Sequence, residues 1–172
     1  MDQSLAGTDA QWLRRSFAVA EKTVEAGDYP FGAVLVNAQG QMLLESGNTV
    51  GTTTDRLGHA ELLVLLEAGR TWPLEELATF TLYSSTEPCP MCTGAVAWSL
   101  GRLVYGLSHA RMYELFAATQ EAPPRFIEPW NCRPLLEQLH PPMKMVGPML
   151  EDEAAAAHWM WLERWTGGVT EV

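Results

Sequence analysis

Apolar residues recur at helical intervals near the start of the chain. Leu13, Phe17, Ala20 and Val24 follow Thr8-Asp9-Ala10-Gln11, which has capping-box spacing, and Gly27 supplies a stop. The spacing predicts an amphipathic helix over 8–27. The pattern then shortens. Residues 31–36 and 42–45 are β-prone runs separated by Asn37-Ala38-Gln39-Gly40, a turn composition, and predict a hairpin. Residues 48–58, rich in Thr, Gly and Asp, read as loop. The unbroken apolar run 60–68 reads as a helix that begins at His59 and stops at Gly69.

Farther on, 80–84 reads as a strand, 91–100 as a buried helix of small and apolar residues, and 103–107 as another strand. Prolines at 123, 124, 129, 134, 141 and 142 interrupt every period between 108 and 142, which predicts loops and short helices there. Residues 144–149 fit an edge strand. Glu151-Asp152-Glu153 suits the N-terminus of a last helix over 151–165, and Gly167-Gly168 ends it. Strands alternating with helices predict an α/β fold: a three-layer α/β/α sandwich around a mixed sheet of about five strands, the later ones parallel.

Composition narrows the class. The 172 residues are 47% hydrophobic and 19% charged, the balance of a globular chain, and one domain accommodates them without a second. Its core is expected over about 9–107, with a variable part at 108–172. Arg14 and Arg15 stand where a signal peptide needs an apolar run, and no segment approaches about 18 uninterrupted apolar residues, so a cytoplasmic protein without a membrane span is expected. Three cysteines, two of them in Cys-x-x-Cys spacing, make no disulfide framework, and Cys132 reads as a plain thiol. A formal charge of −10, with eleven scattered Lys and Arg, disfavours nucleic acid and favours a small-molecule partner.

Two short stretches carry candidate chemistry: Gly58-His59-Ala60-Glu61-Leu62 and Pro88-Cys89-Pro90-Met91-Cys92. Singly, each has a plainer reading. A histidine near a glutamate at a helix start is often a capping or surface pair, and a lone Cys-x-x-Cys is also a redox pair or buried small hydrophobes. Jointly they supply the three protein ligands of a catalytic zinc site, His59, Cys89 and Cys92, with a fourth tetrahedral position left for water. Residues i and i+2 point about 200° apart within a helix, so His59 and Glu61 converge only at a helix end. Two helix N-termini are therefore expected to meet at one Zn²⁺ per chain. Glu61 stands beside the open position as a proton shuttle.

HAE followed by PCPMC resembles the zinc-dependent cytidine and deoxycytidylate deaminase superfamily, whose signature pairs a metal histidine and a neighbouring glutamate with a later cysteine pair. Its order of helix, hairpin, helix, strand, helix, strand matches residues 9–107. The resemblance implies His59, Cys89 and Cys92 as zinc ligands and Glu61 as the catalytic acid–base. PFGAVLV at 30–36 and the asparagine of Glu45-Ser46-Gly47-Asn48 look like the guanine deaminase and tRNA-adenosine deaminase branch. That likeness implies a hydrogen bond from Asn48 to the substrate, a backbone contact at Ala60 and packing of Phe31 on the base. For Phe31 the plainer reading is core.

Beyond Leu107 the likeness fades. The guanine branch places an acidic substrate contact there, and Ser108-His109-Ala110-Arg111 offers no match. The expected activity is thus hydrolytic deamination of a free purine base or similar aminated heterocycle, by a homodimer on the family's pattern. Adenosine deamination in nucleoside or tRNA, and a non-catalytic zinc module, are the alternatives. The 125–130 segment and the tryptophans of the last helix are expected to individualise the pocket or to fill core and interface. His109, His140 and His158 are expected to pack or face solvent.

Overall fold

The computed structural model describes residues 3–118 and 130–165. In chain order these form α1 (Gln3–Ala26), β1 (Gly32–Val36), β2 (Met42–Gly47), α2 (Val50–Thr53), α3 (Ala60–Thr71), α4 (Leu74–Leu77) and β3 (Thr81–Thr86). There follow α5 (Pro90–Ser99), β4 (Arg102–Leu107), α6 (His109–Ala118), α7 (Arg133–Leu136), β5 (Lys144–Val146) and α8 (Glu151–Trp165). The strands make one five-stranded sheet in the order β2-β1-β3-β4-β5. β1 runs antiparallel to β2 and β3, whereas β3, β4 and β5 run parallel.

Strand alternation explains the three layers. In β1, Ala33 and Leu35 enter a core with Ala60, Val64 and Ala68 of α3 and Val96 of α5. Val34 and Val36 enter a second core on the other face, with Leu13 and Phe17 of α1, Met112 of α6 and Leu162 of α8. Tyr83 and Val104 join that second core, Leu82 and Leu103 the first. Both faces of the sheet are thus covered, as its continuously apolar parallel strands require. A side chain at Gly32 would collide with the backbone of Ser16 and Ala20, so glycine lets α1 lie directly on β1.

Several boundaries depart from expectation for physical reasons. α1 already runs through Thr8-Asp9-Ala10-Gln11, so these four residues cap nothing. Asp9, only 4% exposed, instead turns inward to Arg102 and Tyr83. Within the expected loop, α2 forms because the Asp28 carboxylate accepts the backbone N–H and the hydroxyl of Thr52. α3 passes Gly69 and ends at Trp72, whose extended backbone suits the residue before Pro73. β5 stops three residues before Met149, at Val146, because Gly147 has φ 151° and Pro148 lacks a donor. The 119–129 part of the proline-rich stretch and the Gly167-Gly168 stop lie outside the described residues. No helix among the described residues is long and apolar enough to cross a membrane.

Candidate active site

The parallel strands end on one side of the sheet, and the candidate chemistry gathers there. His59 is the N-cap of α3, with extended φ −78° and ψ 140°, and its carbonyl accepts the Leu63 N–H at 3.0 Å. Cys89 is the N-cap of α5, also extended at φ −64° and ψ 169°, and its carbonyl accepts the Thr93 N–H at 2.8 Å. Pro90 follows at the first helical position, where its missing N–H leaves nothing unpaired. Two helix N-termini therefore meet. His59 and Glu61 reach one place because His59 lies outside the helical spiral, and Cys92 sits in the first turn of α5, beside Cys89.

His59 Nδ1 lies 3.7 Å from Cys89 Sγ and 3.5 Å from Cys92 Sγ, and all three ligand atoms fall within 4.8 Å of one another. Tetrahedral zinc, with Zn–S near 2.3 Å and Zn–N near 2.05 Å, separates nitrogen from sulfur by about 3.6 Å. The spacing and the donor set fit that ion. Beside the cluster is Glu61, 6% exposed, with Oε2 accepting from Cys92 Sγ at 3.6 Å and Oε1 accepting from Ser84 Oγ at 3.0 Å.

Charge in this cluster is held by mutual contacts. Cys89 is pulled down to about 4, first by the hydrogen bond from Cys92 and, against the penalty of burial, by His59 and the Cys92 backbone N–H. Cys92 is pushed up because it holds its proton toward Cys89 and because it is buried. The hydrogen bond to Cys89 raises His59. Burial raises Glu61, and the negative Cys89 adds to that push. One thiolate, one thiol and a proton-hungry carboxylate form a set from which a dication would displace protons.

These groups open into a cavity of about 840 Å³ lined by Tyr29, Phe31, Phe116, Trp130 and Trp161 among others. Asn48 is on its wall, 3% exposed, with Oδ1 taken by the Val50 N–H at 2.9 Å and its own N–H donated to the Phe31 carbonyl at 3.0 Å. Phe31 lines the cavity and packs edge-on against His158, with ring centroids 5.4 Å apart. The Ala60 side chain is fully buried in the core under α3. Its N–H, in the first turn, has no acceptor within the helix.

Other groups at the site were not singled out from the sequence. Ser84, Ser85 and Thr86 are all at most 2% exposed, a buried polar run at the end of an apolar strand, and that run was the available signal. Glu87 accepts the backbone N–H of His109 at 3.1 Å and of Cys132 at 2.8 Å, tying α6 and the segment before α7 to the cysteine turn. His109 is 5% exposed, as a packing residue would be, and it also lines the cavity. His158 does pack: it is 1% exposed and bonded to Thr86 Oγ1 at 3.0 Å. Trp130 and Trp161 line the cavity, whereas Trp159 is 42% exposed. The rest of the 125–130 segment lies outside the described residues.

A family model for the cytidine and deoxycytidylate deaminase zinc-binding region matches residues 6–107. A probable cytosine deaminase of Schizosaccharomyces pombe is 35% identical over 155 residues, covering 90% of this chain and 92% of that protein. A tRNA-specific adenosine deaminase of Bacillus subtilis is 39% identical over 102 residues, 57% of this chain and 61% of its own. Among solved structures, a guanine deaminase from Nitrosomonas europaea superposes with a TM-score of 0.68 over 88% of this chain and 82% of that one. At 23% identity that likeness speaks to the fold alone. The chain therefore belongs to the cytidine and deoxycytidylate deaminase family, whose members are zinc-dependent hydrolases acting on carbon–nitrogen bonds. The relatives' names span three substrates, and a tRNA deaminase among them removes kinship as support for excluding nucleic acid.

Proposed function

We propose that this protein hydrolytically deaminates a free purine base or a similar aminated heterocycle, exchanging a ring C–NH2 for C=O and releasing ammonia. The observation that carries the reading is the buried Glu61 carboxylate beside the His59, Cys89 and Cys92 cluster, at the end of an aromatic-lined cavity. His59 Nδ1 and the two cysteine sulfurs are the atoms that would hold zinc. When bound, zinc supplies the Lewis acidity that makes water a competent nucleophile near neutral pH.

The protein's own groups do the rest. Glu61 takes the proton of the attacking water and delivers protons to a ring nitrogen and to the departing amine. Burial raises its proton affinity toward the range in which it can do both. With Asn48 Oδ1 already occupied by Val50, its amide NH2 is left to donate to a substrate acceptor. The Ala60 N–H is a second donor at the α3 N-terminus, and Phe31 offers its ring to the heterocycle.

The cavity wall supports a small, planar substrate: five Phe, Tyr or Trp side chains line it, and Arg56 is the one Lys or Arg on it among the described residues. The tRNA reading rests on relatives that carry that name. It calls for salt-sensitive RNA binding, which a chain of charge −10 is poorly built to provide. A homodimer belongs to the same proposal, with exposed Leu66 and Trp98 as apolar surface a second copy would cover. The deciding test is ammonia release from guanine, adenine, cytosine, their nucleosides, aminated pterins and triazines, alongside tRNA binding at low salt. Turnover of a free heterocycle without tRNA binding supports the reading; tRNA deamination with no free-base turnover overturns it.

A further inference from the structure

We propose that His109 is a substrate-reading residue whose Nε2–H donates a hydrogen bond to a ring nitrogen of the bound heterocycle, separate from the amino group that leaves. This rests on the deaminase reading above and specifies which substrates that site accepts.

Placement comes first. β4 ends at Leu107 and α6 begins at His109, so this residue is delivered to the same side of the sheet as Cys89, which follows β3. Its backbone N–H is fixed by Glu87 Oε2, and Glu87 Oε1 is taken by the Cys132 N–H. The main chain of His109 is thereby pinned two residues upstream of the cysteine turn, and neither Glu87 oxygen is turned over to the imidazole.

The ring itself is unusual. His109 is 5% exposed, yet neither ring nitrogen has a hydrogen-bond partner among the described residues, and Nδ1 is fully buried. Nε2 is the nitrogen that remains accessible, on a residue that lines the cavity. The core histidine close behind differs at one nitrogen: His158 Nδ1 is also buried without a partner, but its Nε2 is bonded to Thr86 Oγ1, whereas His109 Nε2 has no such partner among the described residues. Buried polar groups are almost always paired, and one left open on a cavity wall is paired by what enters the cavity.

The tautomer follows from the burial. Orphaned buried N–H groups are rarer than orphaned acceptors, so the proton belongs on Nε2 rather than on enclosed Nδ1. Burial favours the neutral ring against the opposing pull of Glu87 and Cys89, and the α6 N-terminus adds to the burial effect. His109 is therefore a donor, as is the Asn48 amide. A cavity offering two side-chain donors takes a heterocycle with at least two acceptors, as oxopurines and related aza-heterocycles have and simple aminobenzenes lack.

Deaza analogues test this, because replacing a ring nitrogen by C–H removes one acceptor and little else. Purified zinc-loaded wild type, His109→Leu, His109→Phe and His109→Gln are compared. The readouts are KM and kcat with guanine, adenine and their 3-deaza and 7-deaza analogues, and equilibrium binding of the same compounds by quenching of tryptophan fluorescence. Wild type is expected to bind at least one deaza analogue about three- to tenfold more weakly than its parent, the worth of one net hydrogen bond. His109→Leu and His109→Phe lose that discrimination through the parent's KM and binding, while zinc content stays at one per chain. His109→Gln, which keeps a donor, retains part of it. Equal discrimination in wild type and in whichever of the Leu and Phe variants folds overturns the proposal while leaving the deaminase reading standing. No discrimination in wild type overturns it too, and wild type that releases ammonia from no compound of the wider panel above overturns both.

Discussion

Ser84 Oγ lies 3.0 Å from Glu61 Oε1, and the same hydroxyl lies 2.7 Å from the Thr86 carbonyl oxygen. One hydroxyl proton thus has two acceptors. When Glu61 is ionised, Ser84 can donate to it; when Glu61 carries a proton, Glu61 donates to Ser84 and Ser84 to Thr86. The hydroxyl accommodates both states of a group proposed to take up and release protons. Ser84→Ala is expected to retain zinc and lower kcat about tenfold, the effect of losing one charge-assisted hydrogen bond. Steady-state ammonia release with metal analysis checks this, and an unchanged kcat would detach Ser84 from the reaction.

Asp9 holds the N-terminal helix to the sheet. Both its oxygens accept from the Arg102 guanidinium, at 2.8 and 2.6 Å, and Tyr83 donates to it at 2.8 Å. Asp9→Asn leaves Arg102, whose side chain is 23% exposed, without its anion. The expected loss is about 3 kcal/mol, or roughly 6–12 °C in the thermal midpoint. Calorimetry of the two proteins measures it. A midpoint within a degree of wild type would show the pair to be dispensable.

His158 makes stability depend on pH. Burial, reinforced by His109, pushes it down to about 3. The unfolded chain therefore takes up this proton near pH 6.5 while the folded chain does not, so stability is full above that pH and lost as pH falls below it. Between pH 7 and pH 5 this group alone removes about 2 kcal/mol. His158→Gln removes the titration, and its midpoint should fall by roughly 4–8 °C less than that of wild type over the same interval. Equal falls would mean that His158 is not held neutral.

The metal cluster was legible in the sequence because its geometry is local. Cys89 and Cys92 share one helix turn, and the i, i+2 spacing of His59 and Glu61 forced both to a helix end, where His59 stands as N-cap of α3. The three layers were legible from the alternation of periods. What escaped depends on partners distant in sequence. Asp9 has the local spacing of a cap, and only Arg102, on β4, reveals why a carboxylate belongs inside the helix. Gly69 has the composition of a stop, yet it sits inside the last turn of α3 in open space, and Pro73 sets the end. His109 looked like any histidine after a strand until Glu87 and the cavity gave it a place.

The central claim is that His59, Cys89 and Cys92 hold a zinc ion for a proton shuttle at Glu61. The measurement that tests it most directly is zinc content and ammonia release of Glu61→Gln beside wild type on a turned-over heterocycle. About one zinc per chain is expected in both proteins, with a rate at least about 10²-fold lower in the variant. A zinc-free wild type, or a Glu61→Gln rate equal to wild type, would contradict it.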